Sequence, residues 1–124
     1  MSLPFNRGFS YVPIPAGMKG PITPGWNQRE SCITDATEAH RLSGNVGIAH
    51  AYCKTPTCAV DIDDGKETLR YLTEKGIDLK SLLTQHCSAV MCSGRPNSLK
   101  AIFTLPEGVG PLLTKTVKVN GKTI

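Results

Sequence analysis

The chain lacks any apolar run long enough to cross a bilayer, so no membrane-spanning helix is expected. It also lacks the charged, then long apolar, then small-residue order of a secretory signal. A cytoplasmic setting with reduced thiols is therefore the expectation. No internal repeat and no low-complexity tract appears, which sets aside solenoid and linker readings. A large excess of one charge sign is lacking as well, with 14 Lys and Arg against 10 Asp and Glu. A formal net charge of +4 permits a nucleic acid or nucleotide partner without demanding one.

What is present suffices for one ordinary domain. At 124 residues and 40% hydrophobic content the chain can bury a real core. The cysteines are Cys32, Cys53, Cys58, Cys87 and Cys92, an odd number that favours free thiols. Two pairs share a C-x4-C spacing, "CKTPTC" and "CSAVMC". Four thiols can hold zinc, but C-x2-C is the commoner knuckle, and the second pair falls in a strand-like run. Plain buried cysteines are the preferred reading.

Turn residues divide the chain. "YVPIPAG" reads as an extended segment, and "MKGPITPGW" as a Pro/Gly loop. Thr34 or Asp35 caps a helix reaching about Leu42. "NVGIAHAY" and "CAVDID" read as strands on either side of the turn "KTPT". Asp64 and Glu67 have capping-box spacing, Leu69, Tyr71 and Leu72 give the following helix an apolar side, and Gly76 ends it. Asp78 caps a short helix carrying Leu79, Leu82 and Leu83. "SAVMCS", "SLKAIFTL" and "KTVKV" complete the strands, and Asn120-Gly121 is a hairpin turn. This order predicts an α+β fold, a two-layer arrangement of a mainly antiparallel sheet with helices packed on one side. Residues 1–10 read as a leader, in part of cloning-remnant type, and 11–124 as the domain. Three residues after the Asn-Gly turn make a poor strand, so the natural protein is expected to continue past Ile124.

The chemistry centres on "CAVDIDDG". Alternation along a strand puts Val60 and Ile62 on one face, toward the core, and Asp61 and Asp63 together on the other. Asp64 falls on the turn, where it caps the helix. Two carboxylates on one face repel unless a cation lies between them. Mg2+ or Mn2+ suits such oxygen ligands, and a solvated pair at a strand end is the plain alternative. A second group lies in "MCSGRPNSLKAIF". Arg95, the exposed amides of the turn, Ser98 and Lys100 can grip an anion, or can form an ordinary polar hairpin turn.

In this order, "YVPIPAGMKGPITPGW", "NVGIAHAY", "CAVDIDD" and "SGRPNSLKAIF" resemble the N-terminal domain of bifunctional DNA primase/polymerases. These belong to the archaeo-eukaryotic primases of phages, prophages and plasmids. The resemblance covers nearly all of the chain from Tyr11. It implies a primase/polymerase-like, RRM-related core, with Asp61 and Asp63 as catalytic residues holding Mg2+ or Mn2+. Ser98 and Lys100 fall on the family's S-x-H motif at the triphosphate, and Arg95 lies in the turn before it. The implied partners are DNA template and primer, nucleoside triphosphates, and a helicase domain in the same full-length protein, with no membrane.

Two departures stand out. Lys100 replaces the family's histidine, as a point charge without imidazole's acid–base range, and it can pair with Asp61 or Asp63 when no metal is bound. A third acidic motif is missing up to Ile124, since Glu107 sits in a Pro/Gly turn. A nucleic-acid or replisome binding module without catalysis is therefore an alternative. "AVDIDDGKET" also approaches the D-x-D-x-[TV] motif of haloacid-dehalogenase-like phosphatases, but has Gly65 at the last position. A calcium EF-hand fails at Leu72, where the bidentate Glu belongs. Bland readings suffice for His40 (surface), His50 (after a core strand), His86 (helix end), Lys19 (solvent) and Trp26 (core or loop anchor).

Overall fold

A computed structural model describes residues 8–92 and 94–124. The leader up to Arg7 and Ser93 of the "SGRPN" turn lie outside the described residues. The chain forms two compact units, ending and beginning at Thr57 and Cys58. Antiparallel pairs and short helices make it a small α+β fold, as the order of elements predicts.

The first unit is built on β1 (Tyr11–Ile14) and β2 (Asn45–Ile48), antiparallel with Tyr11 opposite Ile48 and Ile14 opposite Asn45. Tyr11 uses both backbone groups on Ile33, at 2.8 and 2.9 Å. The next residue of the same orientation, Pro13, therefore points its missing N–H away from β2, where a proline costs no ladder bond. Helix α1 (Ala36–His40) is shorter than expected and is capped by Asp35, which accepts from the Thr37 N–H at 2.8 Å. Phe9, Tyr11, Val12, Ala39 and Cys53 form the buried core. Polar bonds order its lower edge. Ser10 Oγ donates to the Tyr52 carbonyl at 2.6 Å, and His50 Nδ1 lies 2.7 Å from Thr57 Oγ1. After β2 the expected strand becomes a 3-10 turn, His50–Tyr52. Trp26 is no core anchor, being 45% exposed.

The second unit holds a three-stranded sheet in the order β3 (Thr57–Ile62), β5 (Leu99–Thr104), β4 (Ala89–Met91). Strand β4 runs antiparallel to β5, with Ala89 opposite Ile102 and Met91 opposite Lys100. Successive residues Ala101 and Ile102 are both buried, so the middle strand is covered on both faces. Strand β3 is an edge strand, and this corrects one expectation. Ile62 is buried, but Val60 is 43% exposed, because an edge strand is covered only where another segment crosses it.

Helix α2 (Gly65–Glu74) starts and stops where its signals lie. Asp64 accepts from the Glu67 N–H at 3.2 Å. The box is half made, since the Glu67 carboxylate turns to Arg70 at 2.6 Å instead of back to the cap. Gly76, at φ 76°, closes the helix with Ile77 N–H bonding to the Leu72 carbonyl. Thr68 is its buried residue, whereas Leu69 of the expected apolar side is exposed. Helix α3 (Leu79–Ser81) leads into a π-helical turn, Leu82–His86. Its cap, Asp78, accepts from the Ser81 hydroxyl and backbone, which holds its carboxyl below the ordinary value. The contribution is therefore full above the ordinary value, about pH 4, and is lost as the pH falls below it through the lowered folded-state value. Strands β6 (Lys118–Val119) and β7 (Lys122–Thr123) form the final hairpin, shorter than "KTVKV" suggests. Asn120 and Gly121, at φ 52° and 77°, give the left-handed turn that its sequence predicts.

One glycine sets how β1 ends. A Cβ on Gly44 would stand 2.2 Å from the Ile14 carbonyl oxygen, a backbone atom that cannot rotate away. Gly44→Ala is expected to destabilise the fold by about 2–3 kcal/mol, as overpacking does. Urea unfolding checks this, and an unchanged midpoint contradicts the close approach.

Candidate metal and phosphate site

The candidate site is built from the end of β3 and the turn that enters β5, both in the second unit. Alternation turns Ile62 inward and leaves Asp61 and Asp63 exposed, as expected. The turn between β4 and β5 is bent by Gly94 at φ 86° and Asn97 at φ 60°. Asparagine is among the few residues with side chains that tolerate that region. The turn brings Arg95 to Asp63, with Nη2 donating to Oδ1 at 3.1 Å. Lys100, first exposed residue of β5, places Nζ 3.9 Å from Asp61 Oδ2. The five residues singled out from the sequence thus fall into two contacting groups, Asp61 with Lys100 and Asp63 with Arg95 and Ser98.

Two bonds hold the turn against β3. The Gly65 N–H donates to the Asn97 carbonyl at 2.7 Å. Ser98 Oγ donates to the Ile62 carbonyl at 3.2 Å and accepts from Arg95 Nη2 at 3.0 Å. Ser98 thus bonds to main chain and to arginine, a role its motif position does not reveal. The Gly65–Asn97 contact is the part that sequence reading missed. A Cβ on Gly65 would sit 3.3 Å from the Asn97 oxygen, tighter than ordinary contact. The only hint in the sequence is Asn97 itself, at the end of "GRPN", a residue suited to a left-handed turn.

Both ion pairs are exposed, with side-chain exposures of 43–68%. Such pairs contribute about 0–1 kcal/mol each, so the acids are not there to hold the fold. Two carboxylates are also what a protein commonly offers to a Mg2+ or Mn2+ that is shared with substrate phosphates. The residues present fit a cation of that kind. Among the described residues no group of three or more His, Cys, Asp or Glu is placed to hold a metal by itself. The cysteines carry free thiols. Burial pushes Cys58 up, and pushes Cys32 up with a further rise from Cys53 nearby, so neither is an activated nucleophile.

A small α+β domain with paired acids on an edge strand, opposed by an Arg and a Lys from one turn and strand, is the class that fold and site define. The family described as bifunctional DNA primase/polymerase, N-terminal, matches residues 4–121. The chain belongs to that family, whose substrates are DNA and nucleotides. No curated protein and no solved structure matches the chain. No helix among the described residues is long and apolar enough to cross a membrane.

Gly65→Val is expected to push the Asn97 backbone off the end of β3 and to destabilise the fold by about 1–3 kcal/mol. Asp63→Asn is expected to shift stability by less than about 1 kcal/mol, because its ion pair is exposed. Thermal unfolding of the two variants side by side checks both, and the reverse ranking contradicts this account of the turn.

Proposed function

We propose that the chain is the nucleotide-handling part of a DNA primase/polymerase and supports metal-dependent nucleotidyl transfer. In this reading a primer 3′-hydroxyl loses its proton to solvent and attacks the α-phosphorus of a nucleoside triphosphate on a DNA template, forming the phosphodiester bond as the bond to the β-phosphate breaks and pyrophosphate leaves. Asp61 and Asp63 are the ligands for Mg2+ or Mn2+. A bound cation of this kind neutralises phosphate charge and stabilises the attacking and leaving oxygens. Arg95 grips phosphate oxygens through its planar fork, and Lys100 adds a point charge. Ser98 keeps Arg95 and the end of β3 together.

The observation that carries the reading is the opposition of the two acids and two bases, Asp63 to Arg95 and Asp61 to Lys100, at one exposed strand end. Metal ligands and phosphate ligands must lie side by side for a metal–triphosphate to bridge them. The reading also sets the protein in the cytoplasm, in the replication of mobile elements, with a helicase domain in the same full-length protein.

One observation favours a second reading. Lys100 stands where the family has histidine, and no third acid joins Asp61 and Asp63 among the described residues. A nucleic-acid or replisome binding module that keeps the fold without the chemistry would look the same.

Under the first reading, Mn2+ with a nucleoside triphosphate raises the melting temperature, and Asp61→Asn with Asp63→Asn abolishes the rise. An unchanged wild-type melting curve at saturating ligand counts against a formed site. Primer extension separates the two readings. Template-directed incorporation that falls to background in the double mutant supports the enzyme, and template binding without incorporation supports the module.

A further inference from the structure

Arg95 makes two bonds from one nitrogen. Nη2 donates to Asp63 Oδ1 at 3.1 Å and to Ser98 Oγ at 3.0 Å. The Ser98 proton is committed to the Ile62 carbonyl. Serine therefore has little left to give a phosphate. Arginine has more, because a guanidinium carries five N–H donors and this side chain is 68% exposed.

A divalent cation on Asp63 would want the carboxylate oxygens that Arg95 now uses, and two positive groups on one carboxylate repel. The charge count sharpens the conflict. Asp61 and Asp63 against Arg95 and Lys100 sum to zero, so a metal ion alone approaches a neutral cluster. A metal ion arriving with a triphosphate brings an anion for which Arg95 can leave Asp63. The exposed pair is weak enough to exchange.

We propose that Arg95 is an exchangeable counter-ion, resting on Asp63 in the free protein and transferring to phosphate when a metal–triphosphate binds. This rests on the reading of Asp61 and Asp63 as metal ligands. It follows that Arg95 weakens the binding of metal alone and couples metal binding to triphosphate binding. By linkage each then raises the affinity of the other.

The test titrates Mn2+ and reads the free ion by electron paramagnetic resonance, with and without a non-hydrolysable nucleoside triphosphate. The proteins are wild type, Arg95→Gln, Arg95→Lys and the Asp61→Asn, Asp63→Asn double variant. Arg95→Gln is expected to bind Mn2+ alone about two- to five-fold more tightly than wild type, the range of an exposed ion pair. Arg95→Lys, which keeps the charge but not the fork, is expected to bind Mn2+ alone as wild type does. The gain in Mn2+ affinity from added triphosphate is expected to shrink in Arg95→Gln. If Arg95→Gln binds Mn2+ equally or more weakly, the exchange is wrong, while wild-type binding lost in the double variant leaves the metal reading standing. Absence of Mn2+ binding in every protein overturns the metal reading and the exchange together.

Discussion

The site rests on the latch between the turn and the end of β3: the Gly65 N–H on the Asn97 carbonyl at 2.7 Å, backed by the Ser98 hydroxyl on the Ile62 carbonyl at 3.2 Å. Residue 65 opens α2 just after the acids, and residue 97 sits in the turn that delivers Arg95 and Ser98. Joining them brings Arg95 beside Asp63, while the β3–β5 pairing sets Lys100 near Asp61. Glycine suits one side of the contact, because a Cβ there would stand 3.3 Å from the Asn97 carbonyl oxygen. The other side takes a left-handed residue, which Asn97 supplies at φ 60°. The same glycine removes the D-x-D-x-[TV] pattern of the phosphatase reading.

Once the turn is latched, the electrostatics follow. Asp61 and Asp63 would repel each other on a bare strand face, and here each has a cation from the turn or from β5. Exposure keeps these pairs weak, which suits a place where ligands come and go. Elsewhere in the second unit polar groups do fixed structural work. Asp64 and Asp78 cap helices through backbone N–H groups. The distinction among the acids of "DIDD" is thus one of partners. Asp64 satisfies backbone, whereas Asp61 and Asp63 pair with the exposed side chains of Lys100 and Arg95.

Much of this is legible in the sequence wherever a local rule decides it. Alternation separates Ile62 from its acidic neighbours, capping chemistry marks Asp35, Asp64 and Asp78, and Gly76 and Asn120-Gly121 mark a helix end and a hairpin. The order of four motifs indicates the family, and the match over residues 4–121 bears that out. What is not legible depends on contacts with no period. Val60 alternates correctly yet is exposed, because its strand lies at an edge. Glu67 has the spacing of a capping box but finds Arg70 one turn on. The strand after Ile48 gives way to a 3-10 turn. The Ser98 hydroxyl bonds to the Ile62 carbonyl, a partner far away in sequence.

The central claim is that the end of β3 and the turn entering β5 form one cation site. Paramagnetic broadening of backbone amide signals by trace Mn2+ tests it most directly, since the loss falls steeply with distance from the ion. The account predicts the earliest loss at Asp61, Asp63 and Gly65 together with Arg95, Ser98 and Lys100, two segments far apart in sequence. Broadening centred elsewhere, on His40 or His86 for example, or on only one of the two segments, would contradict it.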